Sequence, residues 1–381
     1  MTETPGAPVD GSVGPPVARD AAHRDAFGAL REQLDAEFPR VVGTPTAWLD
    51  DGCLWRHLRA RDYNVASAAT QLRDTYAWRQ SFGVDPLMAA TAAAAAAVSA
   101  APPAAAADAG ATPLPAAADP TVRTVHAESA TGKQFVHGTC AAGRPVLYMR
   151  PGVQNSKDTR GNLLQLVYSL ERGVAAMRPG VEKLTLLIDF TGYSLRVAPS
   201  FATQRATLAI LQHHYPERLG LAVLWGAPRL FHLAYKALRP FVDPVTAAKV
   251  VFLYPGVPAD VARMAELFGG RGELLAEYGG GSPWVYSNRA YFAVEGGGGG
   301  FPHTCSKGDT GGWGVGQKGA GVVSKHEVMW PGTVGWAWAR CPSPSLCAVQ
   351  YGEPHTHPPL HDQWYCGGRM NSSDHHSTTG R

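Results

Sequence analysis

The chain has 381 residues, with 34 Lys and Arg against 31 Asp and Glu, so its formal net charge is only +3. A charge balance this close to neutral excludes the broad basic surface of a nucleic-acid-binding protein, and any attraction to a membrane must be local. The six cysteines include no CxxC pair, and no basic, apolar leader precedes them. These features predict a reduced, cytoplasmic protein.

The N-terminal part of the chain predicts a disordered segment followed by helices. Residues 1–19 are rich in Pro and Gly and are expected to be disordered. A helix is predicted over 51–61, with apolar residues on one side. A second is predicted over 64–83, from a capping Asn to a terminating Gly. We therefore expect a small N-terminal helical unit over 20–84.

Residues 85–120 are an Ala- and Pro-rich insertion. Alanine favours helix, but proline interrupts it and no long side chain offers a core, so the insertion is predicted to be a loop. Its longest apolar run, 89–107, is nearly pure alanine and is broken by Pro102 and Pro103. Because it lacks the Leu, Ile and Phe that drive insertion into a bilayer, no membrane span is predicted here.

From Arg144 onward, short apolar runs alternate with helical periodicity. The runs are 145–149, 184–188, 221–224 and 250–253. Runs of this length predict strands that are buried on both faces of an α/β sheet. Two apolar stripes between them predict helices, the first formed by Leu163, Val167, Leu170, Val174 and Met177 and the second by Phe201, Leu208 and Leu211.

The C-terminal quarter of the chain loses this periodicity after about Trp284. Glycine runs and scattered prolines predict that 285–381 is a disordered Gly-, Pro- and His-rich tail. Its cysteines and histidines match the ligand spacing of no zinc module, so no metal site is predicted.

One further amphipathic helix is predicted over 230–241. Its apolar face consists of Leu230, Ala234, Leu238 and Phe241, whereas His232, Lys236 and Arg239 lie on the opposite face. By itself this pattern is typical of a surface helix that covers a core.

Five short motifs together resemble the CRAL-TRIO family, and within it the secretory phosphatidylinositol and phosphatidylcholine transfer proteins. The motifs are Leu58-Arg-Ala-Arg61, Trp78-Arg79, Gly143-Arg-Pro145, Tyr215-Pro-Glu-Arg218 and Asp243-Pro-Val-Thr246. The resemblance implies an α/β fold in which the small helical unit packs on a lipid-binding domain over 121–284. It also implies that this domain encloses a gated hydrophobic cavity.

The resemblance implies a phosphatidylinositol headgroup site made by Arg61, Glu217, Thr246 and Lys249. It further implies that helix 230–241 is the gate over the cavity. The apolar gate residues are Leu230, Phe231, Ala234, Leu238 and Phe241.

Two of the cationic residues can be assigned from their spacing. Lys249 directly precedes a predicted strand, where its ammonium could bind a phosphodiester at the rim of the sheet. Arg59 and Arg61 are two residues apart on a helix and cannot share a face. We therefore expect Arg59 to form an ion pair within the scaffold, while the resemblance assigns Arg61 to the headgroup.

The resemblance does not extend to choline lipid. The positions matching the polar residues of a choline headgroup site are the apolar Val136, Leu147, Met149, Leu184 and Leu186. Because none of these side chains can hydrogen-bond a headgroup, the identity of a second lipid stays open.

The function implied is binding of phosphatidylinositol, with its transfer or presentation, without catalysis and without a cofactor or metal besides the bound phospholipid. The implied partners are phospholipid and a transient membrane surface, with lipid kinases as candidates and no nucleic acid. Peripheral association with the Golgi or the plasma membrane would follow.

A lipid hydrolase would need a nucleophile with a partnered base, and no GxSxG or HExxH motif is present. The alternative is a membrane-trafficking adaptor that binds a sterol, tocopherol or retinoid, and Thr246 and Lys249 argue against it.

Overall fold

The computed structural model describes residues 21–38, 48–100, 118–229, 231–232, 235, 247–270 and 274–293. The helices, in chain order, are α1 (Ala21–Glu37), α2 (Asp51–Ala60), α3 (Val65–Phe82), α4 (Val84–Ala100), α5 (Pro120–Ser129), α6 (Thr159–Ala175), α7 (Phe201–His214), α8 (Pro258–Leu267) and α9 (Asn288–Ala293). The strands are β1 (Gln134–Thr139), β2 (Pro145–Met149), β3 (Leu184–Asp189), β4 (Leu219–Trp225) and β5 (Val250–Leu253).

Helices α1, α2 and α3 pack around a small apolar cluster of their own, which includes Leu30, Leu54 and Leu72. The predicted helix ends are confirmed. The Asn64 side chain accepts a hydrogen bond from Ser67 N at 2.9 Å, and Gly83 ends α3 with φ of 82°. This left-handed conformation is readily adopted by glycine, which has no Cβ to clash.

Helix α4 corrects the prediction of a loop for the Ala-rich insertion. Alanine has the highest helix propensity, and the prolines at positions 102 and 103 come only after the helix ends at Ala100. Within the insertion, Leu87 and Thr91 are 2% and 3% exposed and provide the packing that the prediction judged absent. Of the predicted insertion 85–120, only 101–117 lie outside the described residues. Within the described part of the chain, no helix is long and apolar enough to cross a membrane.

The five strands form one sheet in the order β1-β2-β3-β4-β5. Strand β1 is antiparallel to β2, and the remaining neighbours are parallel. The four predicted strands are confirmed, with β3 and β4 slightly longer than expected. Strand β1 escaped prediction because its register shifts between Val136 and Thr139 and Gly138 has a φ of 60°, which breaks the alternation of a regular strand.

The two faces of the sheet are covered by different elements. Leu147, Leu186 and Ala222 are aligned across β2, β3 and β4, and the face they share is covered by α6 and α7. On the opposite face, the ring of Tyr148 stacks on that of Tyr278 with centroids 5.8 Å apart. The prediction of a sheet buried on both faces is therefore confirmed. The predicted stripe of α7 was wrong at Phe201, which is 72% exposed.

The end of the described chain corrects the predicted domain boundary at residue 284. Tyr291 and Phe292 of α9 are 4% and 2% exposed, and Val136 N donates to Tyr291 Oη at 3.2 Å. Helix α9 has only 6 residues, too few for an apolar period to stand out in the sequence. The predictions of disorder for 1–19 and for 294–381 concern residues outside the described part of the chain. Cys53 and Cys140, which lie inside it, are buried free thiols.

Candidate functional site

Two of the four predicted headgroup residues directly precede or adjoin neighbouring parallel strands, and a third ends α2. Glu217 lies in the turn between α7 and β4, and Lys249 directly precedes β5. β4 and β5 are adjacent and parallel, and Ala222 pairs with Val250, so Lys249 lies beside the first residues of β4 while Glu217 lies just before them. Arg61 ends α2 as its C-cap residue. All three side chains are half-buried, whereas Thr246 lies outside the described residues.

Helix α2 is attached to the edge of the sheet where the parallel strands begin by two arginines and one carboxylate. Arg59 Nη2 lies 2.8 Å from Glu182 Oε2, and Arg56 Nη1 lies 3.3 Å from Glu182 Oε1. Glu182 stands two positions before β3. The predicted scaffold role of Arg59 is thus confirmed. Since Arg61 follows Arg59 by two residues at the end of the same helix, this attachment holds Arg61 near the start of the strands.

A third guanidinium adds positive charge to the edge. Arg218 Nη1 donates to the backbone oxygen of Glu182 at 2.9 Å. Burial, with the nearby Arg56, lowers the pKa of Arg218 to about 10. This value is still high enough to keep Arg218 protonated at neutral pH. Cationic side chains gathered beside a few carboxylates favour the approach of an anion.

Among the described residues other than glycine, only three have a left-handed backbone conformation. All three are predicted headgroup residues or lie within two positions of one. The three such residues are Asp62, Tyr63 and Glu217, with φ of 51°, 60° and 58°. Residues in this conformation cost about 1 to 3 kcal/mol each and persist where the surroundings enforce them. After Arg61 the chain reverses, with Tyr63 N donating to Leu58 O at 2.8 Å. Strained backbone concentrated at one edge is typical of a functional site.

The sheet face under α6 and α7 is apolar at every position that we matched to a choline headgroup site. Leu147, Leu184 and Leu186 are at most 3% exposed and line a narrow gap with Met149. Val136 pairs with Leu147 across β1 and β2. These side chains therefore lie together on the sheet face that α6 and α7 cover, which we call the floor.

A larger cavity of about 110 Å³ lies on the same face, towards the carboxyl ends of β2 and β3. Its apolar wall includes Ile188, Phe190, Leu208 and Leu211. Small-molecule sites typically measure about 300 to 1,000 Å³, so this cavity is too small to hold a whole phospholipid.

Lys133 lies in the polar wall of the cavity. It is the lysine of an Ala-Thr-Gly-Lys sequence that matches no complete phosphate-binding loop. Lys133 is 2% exposed, pairs with Glu128 and donates to Asn162 Oδ1 at 3.2 Å. Burial lowers the pKa of Lys133. A lysine held in this way by a carboxylate and an amide fits a structural ion pair at the cavity wall.

The described residues of the predicted gate helix contact the cavity wall and the last strand. The ring of Phe231 lies 4.9 Å from that of Phe190, and His232 stacks on Phe252 at 4.2 Å. Tyr235 is buried, and its hydroxyl donates to Ala247 O at 3.3 Å. His232, predicted to lie opposite the apolar face, instead stacks on Phe252 of β5. Leu230, Ala234, Leu238 and Phe241 lie outside the described residues.

Sequence reasoning missed Glu182, the residue that joins α2 to the sheet. An acidic residue just before a buried strand was visible, but its partner Arg59 is 123 positions away in the chain. No local pattern could connect the two.

Comparison with known proteins agrees with this architecture. Residues 129–280 match the family model described as CRAL/TRIO domain. The chain is 32% identical over 248 residues to a CRAL-TRIO domain-containing protein of Schizosaccharomyces pombe, covering 64% of this chain and 20% of that one. It is 33% identical over 220 residues to the phosphatidylinositol transfer protein PDR17 of Saccharomyces cerevisiae, covering 55% and 53%. It is 28% identical over 288 residues to the SEC14 cytosolic factor of Candida glabrata, covering 70% and 84%. The chain thus spans a fifth of the first relative and about half of the second.

Proposed function

We propose that this chain, which belongs to the CRAL-TRIO family, binds one molecule of phosphatidylinositol and transfers it between membranes or presents it to another protein. Its similarity to PDR17, whose name is that of a phosphatidylinositol transfer protein, supports this ligand. The observation that supports the proposal is the edge where the parallel strands begin: Glu217 and Lys249 precede neighbouring strands there, and Arg56 and Arg59 attach to it the helix that ends at Arg61.

The chemistry of this edge suits an inositol phosphodiester. Lys249 and Arg61 supply cations for the phosphate, and hydrogen bonds between charged partners are roughly twice as strong as those between neutral ones. The carboxylate of Glu217 can accept hydrogen bonds from inositol hydroxyls. Thr246, three residues before Lys249, is proposed as a fourth headgroup residue on the resemblance alone.

The apolar floor under α6 and α7 is proposed to shield the acyl chains. Each buried methylene contributes about 0.8 kcal/mol, so a phospholipid needs such a surface to cross water. Because the cavity of about 110 Å³ is too small for it, we propose that helix 230–241 moves away as a gate. That movement would separate Phe231 from Phe190.

We further propose that the protein acts by binding rather than by catalysis, in the cytoplasm and at membrane surfaces. The Golgi and the plasma membrane are the proposed target membranes, and lipid kinases the proposed recipients of the lipid. A sterol, tocopherol or retinoid ligand is not favoured, because such molecules have no phosphate for Lys249 and Arg61.

A vesicle transfer assay tests the proposal directly. The full chain should move labelled phosphatidylinositol from donor to acceptor vesicles faster than the spontaneous rate. Native mass spectrometry of the protein purified from cells should find phosphatidylinositol bound one to one. Transfer at the spontaneous rate by folded protein, with no inositol lipid bound, would refute the function.

The same assay with labelled phosphatidylcholine is expected to give weak or no exchange. Leu147, Leu184 and Leu186 offer no hydrogen bond, so a desolvated phosphocholine there would be penalised by several kcal/mol. Efficient choline-lipid exchange would show that the assignment of these floor positions is wrong.

A further inference from the structure

The segment that leads from β3 into α7 exposes two large apolar side chains. Leu195 is 77% exposed, and Phe201, the first residue of α7, is 72% exposed. Single exposed apolar residues are common on protein surfaces, so exposure alone means little. The hydrogen bonds, the charge and the position of this segment beside the cavity indicate that these two residues form a binding surface.

Hydrogen bonds fix the conformation of this segment, residues 193–205. Ala198 N donates to Ser194 O at 3.1 Å, closing one turn around Leu195. Lys157 Nζ donates to the backbone oxygens of Arg196, at 2.7 Å, and of Ala198. At the start of α7, the Ser200 hydroxyl accepts from Thr203 N at 3.1 Å. These bonds keep Leu195 and Phe201 directed outward.

The charge of the segment suits an anionic surface. Between Asp189 and Glu217 the chain contains Arg196 and Arg205 and no acidic residue. Both arginines are exposed. Basic residues beside exposed apolar ones combine the two interactions by which proteins bind to the surface of an anionic bilayer, insertion of apolar side chains and attraction to lipid phosphates.

The inner side of the same segment lines the cavity. Tyr193, Pro199, Thr203 and Gln204 belong to the cavity wall, while Leu195 and Phe201 project from the outer side. A bilayer on the outer side would therefore lie against the wall of the cavity, one short segment away from the space proposed for acyl chains.

We infer that segment 193–205 is the surface on which this protein docks to an anionic lipid bilayer. Leu195 and Phe201 insert between the lipid headgroups, and Arg196 and Arg205 contact their phosphates. This docking surface rests on the proposed function, which gives the reason why the cavity should face a membrane. Binding to the bilayer itself does not require that phosphatidylinositol be the ligand.

Vesicle flotation of the full chain tests this surface, using phosphatidylcholine vesicles with and without phosphatidylserine. We expect binding that increases with phosphatidylserine and that falls at least about tenfold in the double variant Leu195→Ser with Phe201→Ser. The pair Arg196→Gln with Arg205→Gln should remove most of the dependence on phosphatidylserine. The conservative pair Leu195→Phe with Phe201→Leu, which keeps apolar bulk, should bind like the original chain.

Two control variants carry the same chemistry elsewhere. Val285→Ser removes an 80% exposed apolar side chain next to Trp284, which stacks on His137 of β1, and Arg263→Gln removes an exposed arginine of α8. Both should float like the original chain. Equal loss in the controls, or no loss in the serine pair at an unchanged melting temperature, would overturn the proposed surface.

Lipid content measured by mass spectrometry separates this inference from the proposed function. If the chain contains no inositol lipid yet still floats through Leu195 and Phe201, the docking surface stands and the ligand is wrong. If it contains inositol lipid but the serine pair floats normally, the ligand stands and the surface is wrong. Failure of the full chain to bind either type of vesicle overturns the docking surface.

Discussion

Lys249 provides the sharpest test at the scale of single residues. Lys249→Ala should weaken phosphatidylinositol binding about tenfold to a hundredfold, because a charge-assisted hydrogen bond contributes roughly 1.5 to 3 kcal/mol. The melting temperature should change little, since the side chain is only half-buried at the edge of the sheet. The measurement is lipid loading from vesicles of known composition.

The matched control for Lys249 is Lys183→Ala, which removes a lysine directly before β3, at the same edge. Because Lys183 is not among the proposed headgroup residues, loading should stay near that of the original chain. If both variants lose loading equally, only the summed charge of the edge matters and the assignment of Lys249 fails.

The buried His57 and the half-buried His214 predict that stability decreases in mild acid. Burial lowers the pKa of His57 and of His214 from 6.5 to about 3. Between these pH values the unfolded chain binds protons that the folded chain does not, so the free energy of unfolding falls as the pH falls from 6.5 towards 3. Each histidine should add about 1.4 kcal/mol per pH unit to the slope. Urea unfolding across this range measures it.

The histidine prediction depends on the slope and not on the stability at one pH. His57→Asn keeps a donor for Cys53 O, which His57 Nδ1 contacts at 2.9 Å, but cannot titrate. This variant should show a shallower pH dependence even if it is less stable overall. An unchanged slope would mean that His57 is protonated in the folded chain.

At the scale of secondary-structure elements, the attachment of α2 to the sheet links the fold to the site. Glu182→Gln removes the carboxylate between Arg56 and Arg59, whose side chains are 6% and 16% exposed. Leaving these guanidinium groups without it should destabilise the chain by roughly 3 kcal/mol. Because α2 also carries Arg61, phosphatidylinositol loading should fall in protein that remains folded. Thermal unfolding and lipid loading are measured together.

An exposed ion pair of α8 is the control for this element. Arg263 Nη1 lies 2.8 Å from Glu266 Oε2, with side chains 52% and 65% exposed. Glu266→Gln should change neither stability nor loading appreciably, because solvent screens exposed pairs. A stable, fully loaded Glu182→Gln variant would show that α2 does not need this contact.

At the scale of the whole molecule, the C-terminal boundary of the folded part can be located by two truncations. A chain ending at Ala293 should keep the melting temperature and the lipid transfer rate of the full chain, since the sequence beyond it has glycine runs and no apolar periodicity. A chain ending at Ser282 loses Tyr291 and Phe292, which are almost fully buried. Deleting one buried aromatic ring typically costs about 3 to 5 kcal/mol, so the shorter chain should unfold or aggregate.

Differential scanning fluorimetry and the transfer assay compare the two truncations. If the chain ending at Ser282 were as stable as the full chain, α9 would be dispensable. If the chain ending at Ala293 aggregated or lost ligand, residues beyond 293 would be needed for the fold. A chelator should leave the full chain unchanged, because no metal site is expected in the tail.

The sequence by itself determined the features that depend on neighbouring residues. The cap of α3 at Asn64, its end at Gly83 and the four apolar strands were predicted because capping and burial patterns repeat within a few positions. Glu217 and Lys249 were predicted as headgroup residues from the family resemblance alone, and in the structure they precede two neighbouring parallel strands.

Only the tertiary structure decided which distant residues meet. The contact between Arg59 and Glu182 joins positions 123 residues apart, and the burial of α9 depends on Tyr168 and Val136, which lie far from it in the chain. Phe201 continues an apolar stripe in the sequence and yet is 72% exposed at the first position of α7. A local pattern states that a side chain can be buried, but the partner that buries it is chosen by long-range packing, which no window of the sequence contains.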